Sequence, residues 1–128
     1  MEEREKKVLA ERYAKLQINL EAMLKEREEI EKKIEEIEET IEAIKELKID
    51  KETVFSIGVN VFGFGKITSE KFLINVGANV GIETEKENSI NILNKMKNNL
   101  MKILENIEFK VKKILEEQEK ILTKFDEK

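Results

Sequence analysis

Two stretches with a heptad pattern of apolar residues, one on each side of a segment that holds every glycine, constrain this chain most. In both stretches the apolar residues recur at alternating steps of four and three, which predicts helices that pair along a seam. If the second helix folds back along the first so that the numbers of facing residues add up to about 134, Ile34 faces Leu100 and Leu20 faces Ile114. The pattern therefore predicts an antiparallel two-helix coiled coil within one chain.

The predicted seam is not uniformly apolar. Arg27 occupies a seam position in helix 1, and Gln118 occupies one in helix 2. Helix 2 also takes two successive steps of four, from Ile103 through Ile107 to Val111, which predicts a stutter that locally unwinds the supercoil. We expect these irregularities to set the register of the two helices.

Charge favours the same pairing. Residues 21–39 hold nine acidic and four basic side chains, whereas residues 95–113 hold six lysines and two glutamates. Exposed ion pairs add little stability individually, so this complementarity selects the register and the partner.

The composition excludes several classes of function. Charged residues make up 41% of the 128 residues and aromatic residues 5%, which is typical of long helices. A net charge of −4 without a concentrated basic face argues against nucleic-acid binding. The charged first residues and the lack of a long apolar run predict neither a signal peptide nor a membrane segment, so we expect a cytoplasmic protein.

The residues needed for catalysis or for binding a cofactor are missing from the sequence. It contains no cysteine or histidine, and Ser56, Ser69 and Ser89 have no recognisable base nearby. The stretch Gly58–Gly63 followed by Lys66 lacks the spacing of a phosphate-binding loop. The many glutamates of helix 1 indicate a solvated face and not a metal site. We therefore expect no enzyme activity, no catalytic residues, no cofactor and no metal.

The segment between the helices predicts four short strands. β-branched and aromatic runs bounded by Gly and Asn are typical of strands and turns, and the tetrapeptide Gly58–Val61 recurs in variant form at Gly77–Val80. Gly and Asn tolerate the positive φ that tight links require. Thr84 and Glu87 match a capping box at the start of helix 2. The expected boundaries are 1–49 for helix 1, strands near 53–57, 61–67, 72–76 and 80–84 within the segment 53–84, and 85–127 for helix 2.

This order of elements resembles the prefoldin family, and specifically its α-type subunit of archaeal kind, which has two hairpins where the β-type has one. The stretches Val54–Phe62 and Leu73–Val80 carry the resemblance. Asn60 and Asn79 stand where the second glycine of the family's turns is usual, and Ser56 stands where proline is common. The implied fold class is α+β: residues 1–128 form a single unit in which a long antiparallel two-helix coiled coil has two β-hairpins between its helices, and the hairpins assemble into an oligomeric β-barrel body.

The resemblance implies an ATP-independent chaperone, or holdase. Its coiled-coil tips would bind non-native proteins and deliver them to a group II chaperonin. The implied partners are β-type prefoldin subunits or further copies of the chain, together with unfolded client proteins, and neither nucleic acid nor a membrane. The alternative is a self-assembling structural protein of the same fold that forms filaments and binds clients only secondarily.

Two sets of apolar residues are the candidate sites. The oligomerisation set lies in the β segment and comprises Phe55, Ile57, Val61, Phe62, Phe72, Ile74, Val76 and Val80. The client-binding set lies toward the two ends of the chain and comprises Val8, Leu9, Tyr13, Ile18, Leu115, Ile121, Leu122 and Phe125. Leu24 and Phe109 also fall off the seam, and we expect them to extend the second set into one lateral apolar strip.

Overall fold

Two long helices with two antiparallel β-hairpins between them make up the structure, as the sequence predicts. It is a computed structural model and describes residues 2–126; Met1 and position 127, both predicted to be helical, lie outside the described residues. The elements in chain order are α1 (Glu3–Glu46), β1 (Glu52–Gly58), β2 (Val61–Lys66), β3 (Lys71–Asn75), β4 (Gly81–Glu85) and α2 (Lys86–Asp126).

Helix α1 owes its length to strong helix formers and to favourable charges at its ends. Glu3 and Glu5 lie in the first turn and Lys45 lies in the last, where they complement the helix dipole. The helix ends at Glu46, earlier than expected, and Asp50 then adopts a left-handed φ of 60°. The Lys86 Nζ donates a hydrogen bond to the Lys45 carbonyl oxygen at 3.0 Å, which satisfies a carbonyl that the helix leaves unpaired.

The chain divides into two compact units, which we call the terminal unit (Met1–Glu35 with Asn98–Lys128) and the hairpin unit (Glu36–Lys97). In the terminal unit, α1 and α2 pack antiparallel around a core of Leu20, Ile107 and Val111, against which Ile114 also packs. The Gln118 Nε2 donates a hydrogen bond to Gln17 Oε1 at 3.0 Å, one residue from the predicted register.

The predicted stutter in α2 is wrong. Ile103, expected in the seam, is 45% exposed, whereas Leu104 is half-buried. With Leu104 in the seam, the steps from Leu100 through Leu104 and Ile107 to Val111 alternate between four and three without interruption. Two adjacent apolar residues made the sequence pattern ambiguous, and the partner helix selects the one that continues the heptad.

In the hairpin unit the two helices are also antiparallel: Lys86 of α2 contacts Lys45 of α1, and further along α2 the Lys97 Nζ lies 3.9 Å from Glu38 Oε1, which precedes Lys45 in α1. Strand β1 pairs with β2 and β3 pairs with β4, as two separate two-stranded sheets. The β3–β4 turn places Ala78 (φ 50°) and Asn79 (φ 60°) in the left-handed region, and the Val80 N–H donates to the Gly77 carbonyl at 3.0 Å. Two successive positive φ values are the mark of a type I′ hairpin turn.

The predicted capping box at the start of α2 is also wrong. Thr84 is still part of β4, and its hydroxyl accepts a hydrogen bond from Asn88 Nδ2 at 2.6 Å. The helix begins at Lys86 directly after the strand, and the fully buried Ser89 donates from Oγ to the Glu85 carbonyl at 2.8 Å. Side chains one turn into α2 therefore bond to the end of the strand, which ties the hairpin to the helix.

Candidate functional site

The first hairpin, β1–β2, is apolar on both of its faces. Phe55 lies opposite Gly63, and the neighbouring pair Val54 and Phe64 points to the other face. The Phe55 side chain also lies against Gly65 of β2, and the Ile57 side chain lies against Gly63. A Cβ added at Gly65 would be 3.4 Å from the Phe55 ring, and one added at Gly63 would be 2.9 Å from Ile57 Cδ1. The opposite face is open, with Phe64 78% exposed and Val54 and Phe62 also exposed. A two-stranded ribbon with such faces is marginal in water unless another surface covers it.

The second hairpin, β3–β4, has one apolar and one charged face. Phe72 lies opposite Thr84, and Ile74 lies opposite Ile82, so these four side chains share a face. The other face carries the pairs Lys71–Glu85, Leu73–Glu83 and Asn75–Gly81. Leu73 is 77% exposed there, and its side chain approaches Gly81, where a Cβ would lie 2.9 Å from Leu73 Cδ1. The face of Phe72 and Ile74 therefore favours contact with an apolar partner, whereas the opposite face favours solvent.

All eight residues of the predicted oligomerisation set lie in or next to these strands. Phe72 and Ile74 are half-buried, and the other six, Phe55, Ile57, Val61, Phe62, Val76 and Val80, are exposed. An open cleft of about 510 Å³ adjoins the apolar face of the second hairpin, and Leu47, Ile49, Ile67 and Phe72 form its apolar lining. The hairpin unit thus leaves apolar surface uncovered on both hairpins.

The structure places the predicted client-binding residues of the terminal unit in three environments. Val8, Ile18, Leu115, Leu122 and Phe125 are exposed, whereas Leu9 and Tyr13 are half-buried. Ile121 is only 5% exposed, because it occupies a seam position of α2. Its side chain is part of the helix–helix core and not of the surface.

The expected single lateral strip is wrong, because its members lie on different sides of the coiled coil. In heptad notation, with Leu20 and Val111 at a positions, Leu24 occupies an e position and packs against the core. Ile18 and Phe109 occupy f positions, which point directly away from the seam. Ile18 is 66% exposed, and Lys113 Nζ lies 5.0 Å from the centroid of the Phe109 ring.

Hydrogen bonds and ion pairs distinguish two flanks of the terminal unit. On one flank Gln17, at an e position, bonds to Gln118. Leu115 and Leu122 lie within one turn of Gln118 on the same side of α2, at the e positions of that helix. The other flank holds the g positions, where Arg12 and Glu117 form an ion pair of 2.8 Å. Heptad phase could have revealed this division from the sequence, because the seam positions from Ile107 onward are the same whether Ile103 or Leu104 precedes them.

Two further properties of the described residues concern metal sites and membrane-spanning helices. Residues 2–126 contain no group of three or more His, Cys, Asp or Glu side chains placed to hold a metal ion. In the same range, no helix is long and apolar enough to cross a membrane.

Comparison with known proteins identifies relatives of this arrangement. One family, described as prefoldin subunit, matches residues 16–128. A cryo-EM structure of filamentous PFD from Methanocaldococcus jannaschii has a similar fold, with a TM-score of 0.78 over 88% of this chain and 97% of that one, at 16% sequence identity. No curated protein matches the sequence.

Proposed function

Because the chain belongs to the prefoldin family, we propose that it is an ATP-independent holdase chaperone. Its hairpins assemble subunits, and the terminal unit binds non-native proteins and passes them to a group II chaperonin. The observation that carries this proposal is the exposure of Val8, Ile18, Leu115, Leu122 and Phe125 on helices whose seam is already filled. Large apolar side chains that remain exposed outside a fully packed core are typical of partner-binding surfaces.

The presence of two hairpins supports an α-type subunit. Within the family that type is expected to assemble with β-type subunits or with its own copies, through the residues of the oligomerisation set. Their exposure in the single chain is consistent with this role, because burying apolar area contributes about 25 cal/mol per Å². Covering both faces of the first hairpin and one face of the second would bring most of these side chains out of water.

Two variants test the chaperone role. Replacing Ile18 and Leu122 by serine removes exposed apolar side chains from the terminal unit without touching the seam. The control replaces Ile103 by serine, because this residue is also exposed but lies nearer the middle of the helices, on the flank of the g positions. We expect the first variant to lose most of its ability to delay aggregation of a chemically unfolded test protein and the second to retain it. Equal suppression by both variants, at equal subunit concentration, would place the holding surface elsewhere.

A second candidate is self-assembly into filaments, with client binding secondary. It is favoured by the similar fold of the filamentous PFD from Methanocaldococcus jannaschii. It is also favoured by the hairpins, since each is a separate two-stranded sheet and each strand keeps one unpaired edge within it. A contact that adds subunits without closing a ring produces a fibre. Mass photometry of the purified chain separates the candidates: a ladder of sizes supports filaments, and one small species supports a subunit that awaits a different partner.

A further inference from the structure

The two flanks of the terminal unit differ strongly in charge. We call the e and b heptad positions of both helices the acidic flank and the g and c positions the basic flank. The charged residues of the acidic flank are Glu3, Lys7, Glu21, Glu28, Glu31, Glu35, Glu105, Glu108, Lys112, Glu119 and Asp126, a net charge of −7. Those of the basic flank are Glu5, Arg12, Lys15, Glu26, Glu29, Lys33, Lys110, Lys113, Glu117, Lys120 and Lys124, a net charge of +3.

The apolar side chains that adjoin the seam are concentrated on the acidic flank. Leu24, Leu115 and Leu122 all lie there, and Leu24 contacts the core while the other two are exposed. With leucine at these e positions the apolar stripe of the coiled coil is wider than a two-helix seam needs, which leaves room for a further helical segment.

Two of the carboxylates beside these leucines, Glu108 and Glu119, are available to a partner. Glu28 and Glu31 form ion pairs along α1, with Lys32 at 3.7 Å and with Arg27 at 3.8 Å. Glu108 and Glu119 make no ion pair within 4.0 Å among the described residues, and both are exposed. Glu108 is at the same heptad position as Leu115, and Glu119 lies between Leu115 and Leu122 on the helix surface.

We propose that the acidic flank selects positively charged amphipathic helical segments of non-native proteins. The inference rests on the proposed function and names its class of client. The apolar side of such a segment would cover Leu24, Leu115 and Leu122, while its Lys and Arg side chains would meet the carboxylates on both sides of the stripe. An acidic segment of the same apolar pattern would bring like charges together and be rejected.

Two fluorescent peptides test the charge preference on the assembled, full-length protein. Both have the same heptad pattern of leucines, and the polar positions are lysine in one and glutamate in the other. By fluorescence anisotropy at low salt we expect the lysine peptide to bind about tenfold more tightly or better, and the difference to shrink as salt screens the charges. Equal affinities, or tighter binding of the glutamate peptide, would overturn the proposal.

Matched variants locate the binding surface. Leu115→Ser, on the acidic flank, should weaken binding of the lysine peptide severalfold, whereas Ile103→Ser, a similarly exposed residue at a g position of the basic flank, should leave it unchanged. The double variant Glu108→Gln with Glu119→Gln should keep the apolar surface but reduce the preference to roughly threefold or less. Circular dichroism confirms that each variant remains helical. An equal loss in Leu115→Ser and Ile103→Ser would refute the placement.

The aggregation assay distinguishes failure of this proposal from failure of the chaperone role. If the protein delays aggregation of an unfolded protein but binds neither peptide, the acidic flank is not the client surface, although the holdase function stands. If it neither delays aggregation nor binds the peptides, the chaperone role itself fails. Binding of a second copy of the chain in place of the peptide, seen as a concentration-dependent doubling of mass that Leu115→Ser abolishes, would also overturn the assignment of the flank to clients.

Discussion

Ala78 occupies a backbone conformation that suits glycine better than any residue with a Cβ. Its φ of 50° lies in the left-handed region, where an L-residue loses about 1 kcal/mol. We expect Ala78→Gly to raise the free energy of unfolding by up to about 1 kcal/mol, because glycine removes the strain at the cost of a more flexible unfolded chain. Ala78→Val should lower it. Guanidinium unfolding followed by circular dichroism measures both changes, and a valine variant more stable than the glycine variant would contradict the turn geometry.

A polar pair links the two helices of the terminal unit, with Gln118 at a seam position and the half-buried Gln17 beside it at an e position. The side chain of Gln118 is buried and donates to Gln17 Oε1 at 3.0 Å. Gln17→Ala leaves that amide without its partner, which should cost about 1–3 kcal/mol of stability. Adding Gln118→Leu to Gln17→Ala should restore most of the loss, since the unsatisfied group is then gone. Thermal unfolding of the single and double variants measures this, and a double variant no more stable than Gln17→Ala would show that the hydrogen bond is not the cause.

At the scale of the elements, the uninterrupted heptad of α2 makes opposite predictions for two adjacent residues. Leu104 is half-buried in the seam, whereas Ile103 lies on the outer side of it. Leu104→Ala should lower the free energy of unfolding by about 1.5–3 kcal/mol, and Ile103→Ala by less than about 1 kcal/mol. Denaturant midpoints of both variants provide the comparison. If Ile103→Ala is the more damaging change, the stutter exists after all.

The same helix shows how far periodicity carries a prediction. The order of elements, the antiparallel register to within one residue and the turn at Asn79 all follow from local pattern, because heptads and turn residues act over a few positions. Which of Ile103 and Leu104 enters the seam depends on the facing helix, and a helical pattern with two adjacent apolar residues permits both. That choice decides only whether Ile103 is a core or a surface residue. Which exposed apolar residues bind a partner does not follow from periodicity at all, so the candidate site was harder to predict than the fold.

The start of α2 shows a second limit of prediction from the sequence. Thr84 and Glu87 satisfy the sequence pattern of a capping box, yet Thr84 is required by β4, where it pairs with Phe72. Strand pairing is a non-local interaction, and it extends β4 up to the first residue of the helix. The Asn88 and Ser89 side chains then bond to Thr84 and Glu85 respectively, an arrangement with no simple signature in sequence.

For the molecule as a whole, the two hairpins pose different demands on any assembly. The first exposes Val54 and Phe64 on one face and Phe55 and Ile57 on the other, so partners must cover both faces to remove it from water. The second needs a partner only on the face of Ile74. An assembly that satisfies both would bury the first hairpin between neighbouring layers and leave the charged face of the second in solvent.

Aspartate substitutions on the two faces of the second hairpin test this arrangement. Ile74→Asp puts a charge on the apolar face, where assembly would bury it without a partner at a cost on the order of several kcal/mol. Leu73→Asp changes the neighbouring residue on the charged face, which is 77% exposed and needs no cover. Mass photometry should show lost oligomer mass for Ile74→Asp, with helical circular dichroism retained at high concentration, and normal mass for Leu73→Asp. Val61→Asp in the first hairpin should behave like Ile74→Asp, because neither face of that hairpin is expected to stay in solvent. Equal loss of mass in the Leu73 and Ile74 variants would mean that both faces of the second hairpin are covered, and the difference between the hairpins would then have no role in assembly.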